Sequence, residues 1–129
     1  MRILCYGDSD TYGHDPRSPL GKPYPPDVRW TDRLARATGW EVLNAGLNGR
    51  EIPHLPGELR DAEALFAAAS PFDQAVVFLG SNDMMQGLSA QEVAARMEAF
   101  LGRLTAYPLL LLTPVPMVSG TWVTEERLV

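Results

Sequence analysis

The sequence predicts a doubly wound α/β fold, flavodoxin-like, in which a parallel sheet is covered by helices on both sides. Three observations carry that expectation. Four short apolar runs, over residues 3–6, 40–43, 75–79 and 109–112, are rich in Val, Ile, Leu or aromatic residues, as strands buried on both faces are. Helix-forming stretches separate them, so strand and helix alternate, and right-handed crossovers then make the sheet parallel. Each run also gives way to Gly, Asn, Thr or Pro, residues that stop strands.

Taken in order, the first run leaves through Gly7-Asp8-Ser9-Asp10. A Pro-rich stretch over 16–26 reads as an insertion before the first helix, longer than a plain connector. Asp27 can cap that helix, which runs through Thr38 and stops at Gly39. The second run exits through Asn44-Ala45-Gly46-Leu47-Asn48, and an Ala- and Glu-rich helix follows over 57–69. The third run exits through Gly80-Ser81-Asn82-Asp83. Ser89-Ala-Gln-Glu92 is a capping box that opens a helix to about Ala106. The fourth run exits at Thr113-Pro114, and another helix can begin at Thr124. Leu109 to Leu112 is too apolar for a bare edge, so a further strand is expected beyond Val129.

Composition bounds the function. With 129 residues, 46% of them hydrophobic, the chain reads as one domain over 1–129 that can bury an adequate core without disulfide or metal. One cysteine, Cys5, and two histidines, His14 and His54, cannot assemble a zinc-type cluster, so no metal and no cofactor is expected. A net charge of −5, with Lys22 as the only lysine, disfavours nucleic acid and anionic membrane as partners. No run approaches the ~20 apolar residues that span a bilayer, and the residues after Met1 are too few and strand-like for a signal core. The expected location is the cytoplasm.

In open α/β sheets, ligands lie off the carboxyl ends of the strands. The polar and glycine-rich residues of this chain all fall at that edge. With a strand order of 2-1-3-4, Ser9 sits centrally, flanked by the Gly46 N–H and the Asn82 amide. A hydroxyl nucleophile with convergent neutral donors, its own N–H among them, is what acyl transfer needs to hold a developing oxyanion. Plainer readings exist for each residue. Ser9 also suits a helix start, Gly46 a turn, and Asn82 and Asp83 a cap or Asx turn.

At these positions the sequence resembles the SGNH hydrolases, the GDSL lipase/esterase family. Gly7-Asp8-Ser9 looks like the family's first block, Gly46 in Asn-Ala-Gly its second, and Gly80-Ser81-Asn82-Asp83 its third. Arg2-Ile-Leu-Cys-Tyr-Gly-Asp-Ser9 and Pro26-Asp-Val-Arg-Trp-Thr31 are similar to the oligomeric bacterial arylesterases and acyltransferases of that family. The resemblance implies Ser9 as nucleophile, the Ser9 N–H, Gly46 N–H and Asn82 as oxyanion hole, a small-molecule ester as substrate and a homo-oligomer as the assembly. Asp10, Asp83 and Trp30 are the candidate substrate-binding residues, although Trp30 reads first as a packing residue and only then as lining the pocket or a subunit contact.

Two departures stand out. Asp10 replaces the usual Leu or Ile after the serine, which opposes an oxyanion or holds a cationic group. The family's closing Asp-x-x-His block, source of the general base, does not occur in these 129 residues; His14 and His54 are the substitutes the chain offers. Two other classes remain in play. Asp8-Ser-Asp10-Thr11, with Thr113 on a later strand, also resembles the Asp-x-Asp-x-Thr motif of magnesium-dependent phosphatases, although that reading leaves Gly46 and Asn82 unexplained. The third class is a binding module of SGNH type without turnover.

Overall fold

The four apolar runs pair into one parallel sheet of order β2-β1-β3-β4, made of β1 (Arg2–Gly7), β2 (Glu41–Gly46), β3 (Gln74–Phe78) and β4 (Leu109–Leu112). The computed structural model describes residues 1–13 and 29–114. Its helices are α1 (Ser9–Tyr12), α2 (Trp30–Thr38), α3 (Pro56–Ala69), α4 (Ser81–Met85) and α5 (Ala90–Gly102). This is the α/β alternation and the 2-1-3-4 order that the sequence predicts.

Alternation along β1 and β3 sends successive side chains to opposite faces, and each face collects its own helices. Leu4, Tyr6, Ala75 and Val77 meet Phe66 of α3 and Phe100 of α5, with Ile52 and Leu104 completing the buried layer. Tyr6 and Phe66 lie 5.4 Å apart in tilted contact, and Phe66 and Tyr107 5.6 Å. On the other face Ile3, Cys5 and Val76 are covered by Trp30, Trp40 and Val42. The central strands are therefore buried on both faces as expected. The outer pair differs: β2 is half-exposed, and Leu110 and Leu111 of β4 are 50% and 43% exposed, because each is an edge among the described residues.

Several boundaries depart from the sequence reading. β2 continues to Gly46, so Asn44-Ala45-Gly46 is strand and not exit; its ladder with β1 pairs Gly7 with Gly46. α2 begins at Trp30 after Arg29, which supplies no side-chain cap, while Asp27, the 16–26 insertion and the helix at Thr124 lie outside the described residues. α5 does open on the Ser89/Glu92 capping box, but it ends at Gly102 instead of about Ala106. The physical reason is Leu104, which is fully buried and is turned into the core by successive tight turns through Tyr107. α1 and α4, of four and five residues, are too short to show helical periodicity, though α1 does begin at Ser9, which suits a helix start.

The register also levels the carboxyl ends. Gly7, the last residue of β1, stands opposite Gly46 on one side and Phe78 on the other. Three strands thus end side by side, with neighbours ~4.8 Å apart.

Candidate active site

The β1 exit turns sharply into α1. The Asp8 carboxylate accepts the Asp10 N–H at 3.0 Å, and its carbonyl accepts the Tyr12 N–H at 2.9 Å, so Asp8 is the N-cap and Ser9 the first helical residue. Ser9 is half-buried there. Its N–H is among those a helix start leaves without an intrahelical partner. Gly7 permits the turn: a Cβ on it would come 2.2 Å from Thr11 Oγ1 and 2.8 Å from the Phe78 carbonyl. Asp8 is 2% exposed, and burial pushes its carboxyl up to about 6, aided by the charges of Asp10 and Asp83 against the hydrogen bond from Asp10.

α1 then lies directly across the end of β2. A Cβ at Gly46 would meet the Tyr12 nitrogen at 2.1 Å, so only glycine fits beneath this helix. Asn44 fastens the contact. Its Nδ2 donates to the Thr11 carbonyl at 2.7 Å and to Thr31 Oγ1 at 2.9 Å, while its Oδ1 accepts the Gly46 N–H at 2.9 Å. The donor expected of Gly46 is thus held by Asn44 in this structure.

Beyond β2, Arg50 folds back over the strand ends. Its Nη1 donates to the Gly7 carbonyl at 3.0 Å and to the Ala45 carbonyl, and its guanidinium lies 4.1 Å from the centre of the Tyr6 ring. Beside it opens a cleft of about 310 Å³ lined by Tyr6, Leu47, Asn48, Arg50, Glu58 and Asp61.

From β3 the chain passes through Gly80, at φ 124°, into α4, which carries Asn82 and Asp83. The two side chains grip the loop after β2 from one side. Asn82 Nδ2 donates to the Arg50 carbonyl at 3.0 Å. The Asp83 oxygens accept the Ile52 N–H at 3.0 and 3.2 Å and an Arg96 N–H at 3.0 Å, and Arg96 also reaches Glu51 at 3.1 Å.

Ser9, Gly46 and Asn82 accordingly come off three adjacent, level strand ends. The other expectations fare differently. Asp10 is exposed on α1, and its N–H is tied to Asp8. Asp83 is fully buried and engaged by Ile52 and Arg96, so its carboxylate braces the site from within instead of meeting a substrate. Trp30 packs on Ile3, Cys5 and Val76, on the sheet face opposite Tyr6. His14 lies outside the described residues, and His54 Nδ1 is hydrogen-bonded to the Ile52 carbonyl at 2.9 Å and faces Glu58 at 3.4 Å. Asp8, the nucleophile of the phosphatase reading, is turned to the Asp10 backbone N–H.

Asn44 as a fastener, Arg50 and Arg96 escape the sequence reading. Arg50 stands four residues past Gly46 in a polar stretch, where nothing in the spacing separates it from a solvated arginine.

Comparison with known proteins agrees with this fold. A carbohydrate acetylesterase family member from Sinorhizobium meliloti is 27% identical, with a TM-score of 0.76 over 91% of this chain and 64% of that one. The native M. smegmatis aryl esterase is 28% identical, with a TM-score of 0.72 over 85% and 62%. AlinE4, an SGNH-hydrolase family esterase, is 25% identical, with a TM-score of 0.64 over 85% and 57%. The chain spans less than two thirds of the length of each. No curated protein matches the sequence. Residues 5–129 match the GDSL-like Lipase/Acylhydrolase family, and the chain belongs to it.

Proposed function

We propose that the protein cleaves short-chain or aryl esters through an acyl-enzyme on Ser9. The observation that carries this is the level convergence of three exits, which brings Ser9, at the start of α1, together with Gly46 and the Asn82 turn. The esterase relatives support the substrate class. In the first half-reaction Ser9 Oγ bonds to the ester carbonyl carbon while its proton passes to a base. The carbonyl π pair moves onto oxygen, and the oxyanion so formed is met by the Ser9 N–H, the Gly46 N–H and Asn82. Collapse expels the alcohol with a proton. Water, or another alcohol in acyl transfer, then attacks the acyl-Ser9 and regenerates the hydroxyl.

A second reading, binding without turnover, is favoured by one observation, the capture of the Gly46 N–H by Asn44. Fluorophosphonate labelling of Ser9 and a burst of p-nitrophenol from the acetate ester separate the two. Ser9→Ala is expected to abolish both, a loss of roughly 10⁴-fold or more in turnover. An unchanged burst in the variant would place the nucleophile elsewhere.

A further inference from the structure

Arg50 is a residue that bonds all three strand exits, two through its side chain and one through its backbone carbonyl, and none of the readings above gives it work to do. Its guanidinium bonds the last carbonyl of β1, Gly7, and the Ala45 carbonyl of β2, while its own backbone carbonyl receives the Asn82 amide from α4. The guanidinium is half-buried over Tyr6, and burial there lowers its pKa, with Tyr6 and Asp8 opposing the shift. An arginine taken out of water to meet two carbonyls is costly to place unless those bonds fix something.

What they fix follows from connectivity. Ala45 C=O belongs to the same peptide group as the Gly46 N–H. Gly7 C=O belongs to the peptide that opens the Asp8-Ser9 turn. Asn82, with one amide hydrogen on the Arg50 carbonyl, keeps the other for a ligand. One residue therefore links the Ser9 turn, the Gly46 peptide and the Asn82 amide, alongside Asn44 on the Gly46 N–H and the Leu47 N–H on the Gly7 carbonyl.

We propose that Arg50 is a positioning residue for the oxyanion hole, its guanidinium locking the loop after β2 onto the Gly7 and Ala45 carbonyls so that its own carbonyl holds the Asn82 amide in place. The proposal rests on Ser9 chemistry for its kinetic consequence and on the hydrogen bonds alone for its structural one. A donor displaced by about 1 Å costs roughly 10²-fold in rate. Tyr6 stacking is the competing explanation for the arginine, and it requires no bond to either carbonyl.

Two variants of the full chain test this by two readouts, p-nitrophenyl acetate kinetics and the Asn82 side-chain amide resonances by NMR. In Arg50→Met, which keeps an apolar cover for Tyr6 and removes the donors, kcat is expected to fall about 10- to 100-fold with KM within about twofold. The hydrogen-bonded Asn82 proton is expected to move upfield. Arg50→Lys, which keeps a donating cation, is expected to retain the Asn82 signal and most of kcat. Unchanged Asn82 resonances in folded Arg50→Met overturn the proposal whatever the activity. So does a folded Lys variant as impaired as the Met variant, since donation to the carbonyls is then not what counts. If Arg50→Met does not fold, the Lys variant decides alone. A wild-type protein that neither labels at Ser9 nor releases p-nitrophenol defeats the esterase reading, and the Asn82 resonances still decide the placement of the amide by Arg50.

Discussion

The exits of β1 and β3 share a plan, each leaving a buried strand at or near a glycine to enter a one-turn helix beside a buried aspartate, but the two carboxylates meet different surroundings. Asp83 is fully buried against the Ile52 N–H and the Arg96 cation. Asp8, 2% exposed, accepts the N–H of Asp10, with the charges of Asp10 and Asp83 nearby. Arg50 is in electrostatic reach of Asp8, yet it donates to carbonyls. One aspartate is ion-paired and bolts the β3 exit to α5 and to the loop after β2. The other holds the serine turn and carries a burial cost that its hydrogen bond from Asp10 only partly offsets. The difference shows that buried acidity at a site edge can serve rigidity in one strand and leave the neighbouring strand sensitive to protons.

The comparison breaks most visibly at Asp83. Asp83→Ala leaves the buried Ile52 N–H without its acceptor and Arg96, a quarter exposed, with Glu51 alone, so it is expected to destabilise the fold by about 3 kcal/mol, read as a lowered urea midpoint. A midpoint within error of wild type would mean that Arg96 is equally well served by Glu51 alone. Asn82, its neighbour on the same turn, sharpens the contrast. Asn82→Ala is expected to lose roughly 10²–10³ in kcat, with KM and the urea midpoint little changed. A raised KM with intact kcat would assign Asn82 to substrate binding.

Asp8 gives the smallest effect and the most specific one. Its carboxyl rises from 3.8 to about 6 on folding, so the folded protein holds the proton more tightly than the unfolded chain. Below pH 3.8 both states are protonated and burial costs nothing through ionisation. The cost grows as pH rises through that interval and is complete above pH 6. Asp8→Asn keeps an oxygen for the Asp10 N–H and never ionises. It is expected to match wild type near pH 3.5 and to exceed it by up to about 3 kcal/mol at pH 7. A stability difference that stays flat between pH 3.5 and 7 would show that Asp8 gains in the fold a partner equal to water.

The order of strands and the three exits were legible because hydrophobic runs and glycine-asparagine punctuation are local signals. Leu109 to Leu112 coincides with β4, and Ile3 to Tyr6 and Ala75 to Leu79 fall within one residue of β1 and β3. The site's supports were not legible. Asp83 looked like a residue for substrate because an exposed cap and a buried ion pair have the same local sequence; Arg96, 13 positions on, decides between them. Trp30 belongs to a pocket or to a core depending on which face α2 covers, and the chain alone does not state that face. Arg50 acquires its partners from β1, β2 and α4 only when the sheet has formed.

The space beneath α1 bears on how mutational scans of this protein are to be read. With the Tyr12 backbone 2.1 Å from where a Cβ would stand, any side chain at Gly46 must push the helix aside and carry Ser9 with it. A scan will therefore score every Gly46 variant as dead, and the score will report a displaced serine whether or not the Gly46 N–H ever touches an oxyanion. Conventional mutagenesis cannot separate the two at this position. Exchanging the Ala45–Gly46 amide for an ester deletes the N–H without adding an atom under the helix, so backbone chemistry can ask here what the genetic code has no codon to ask.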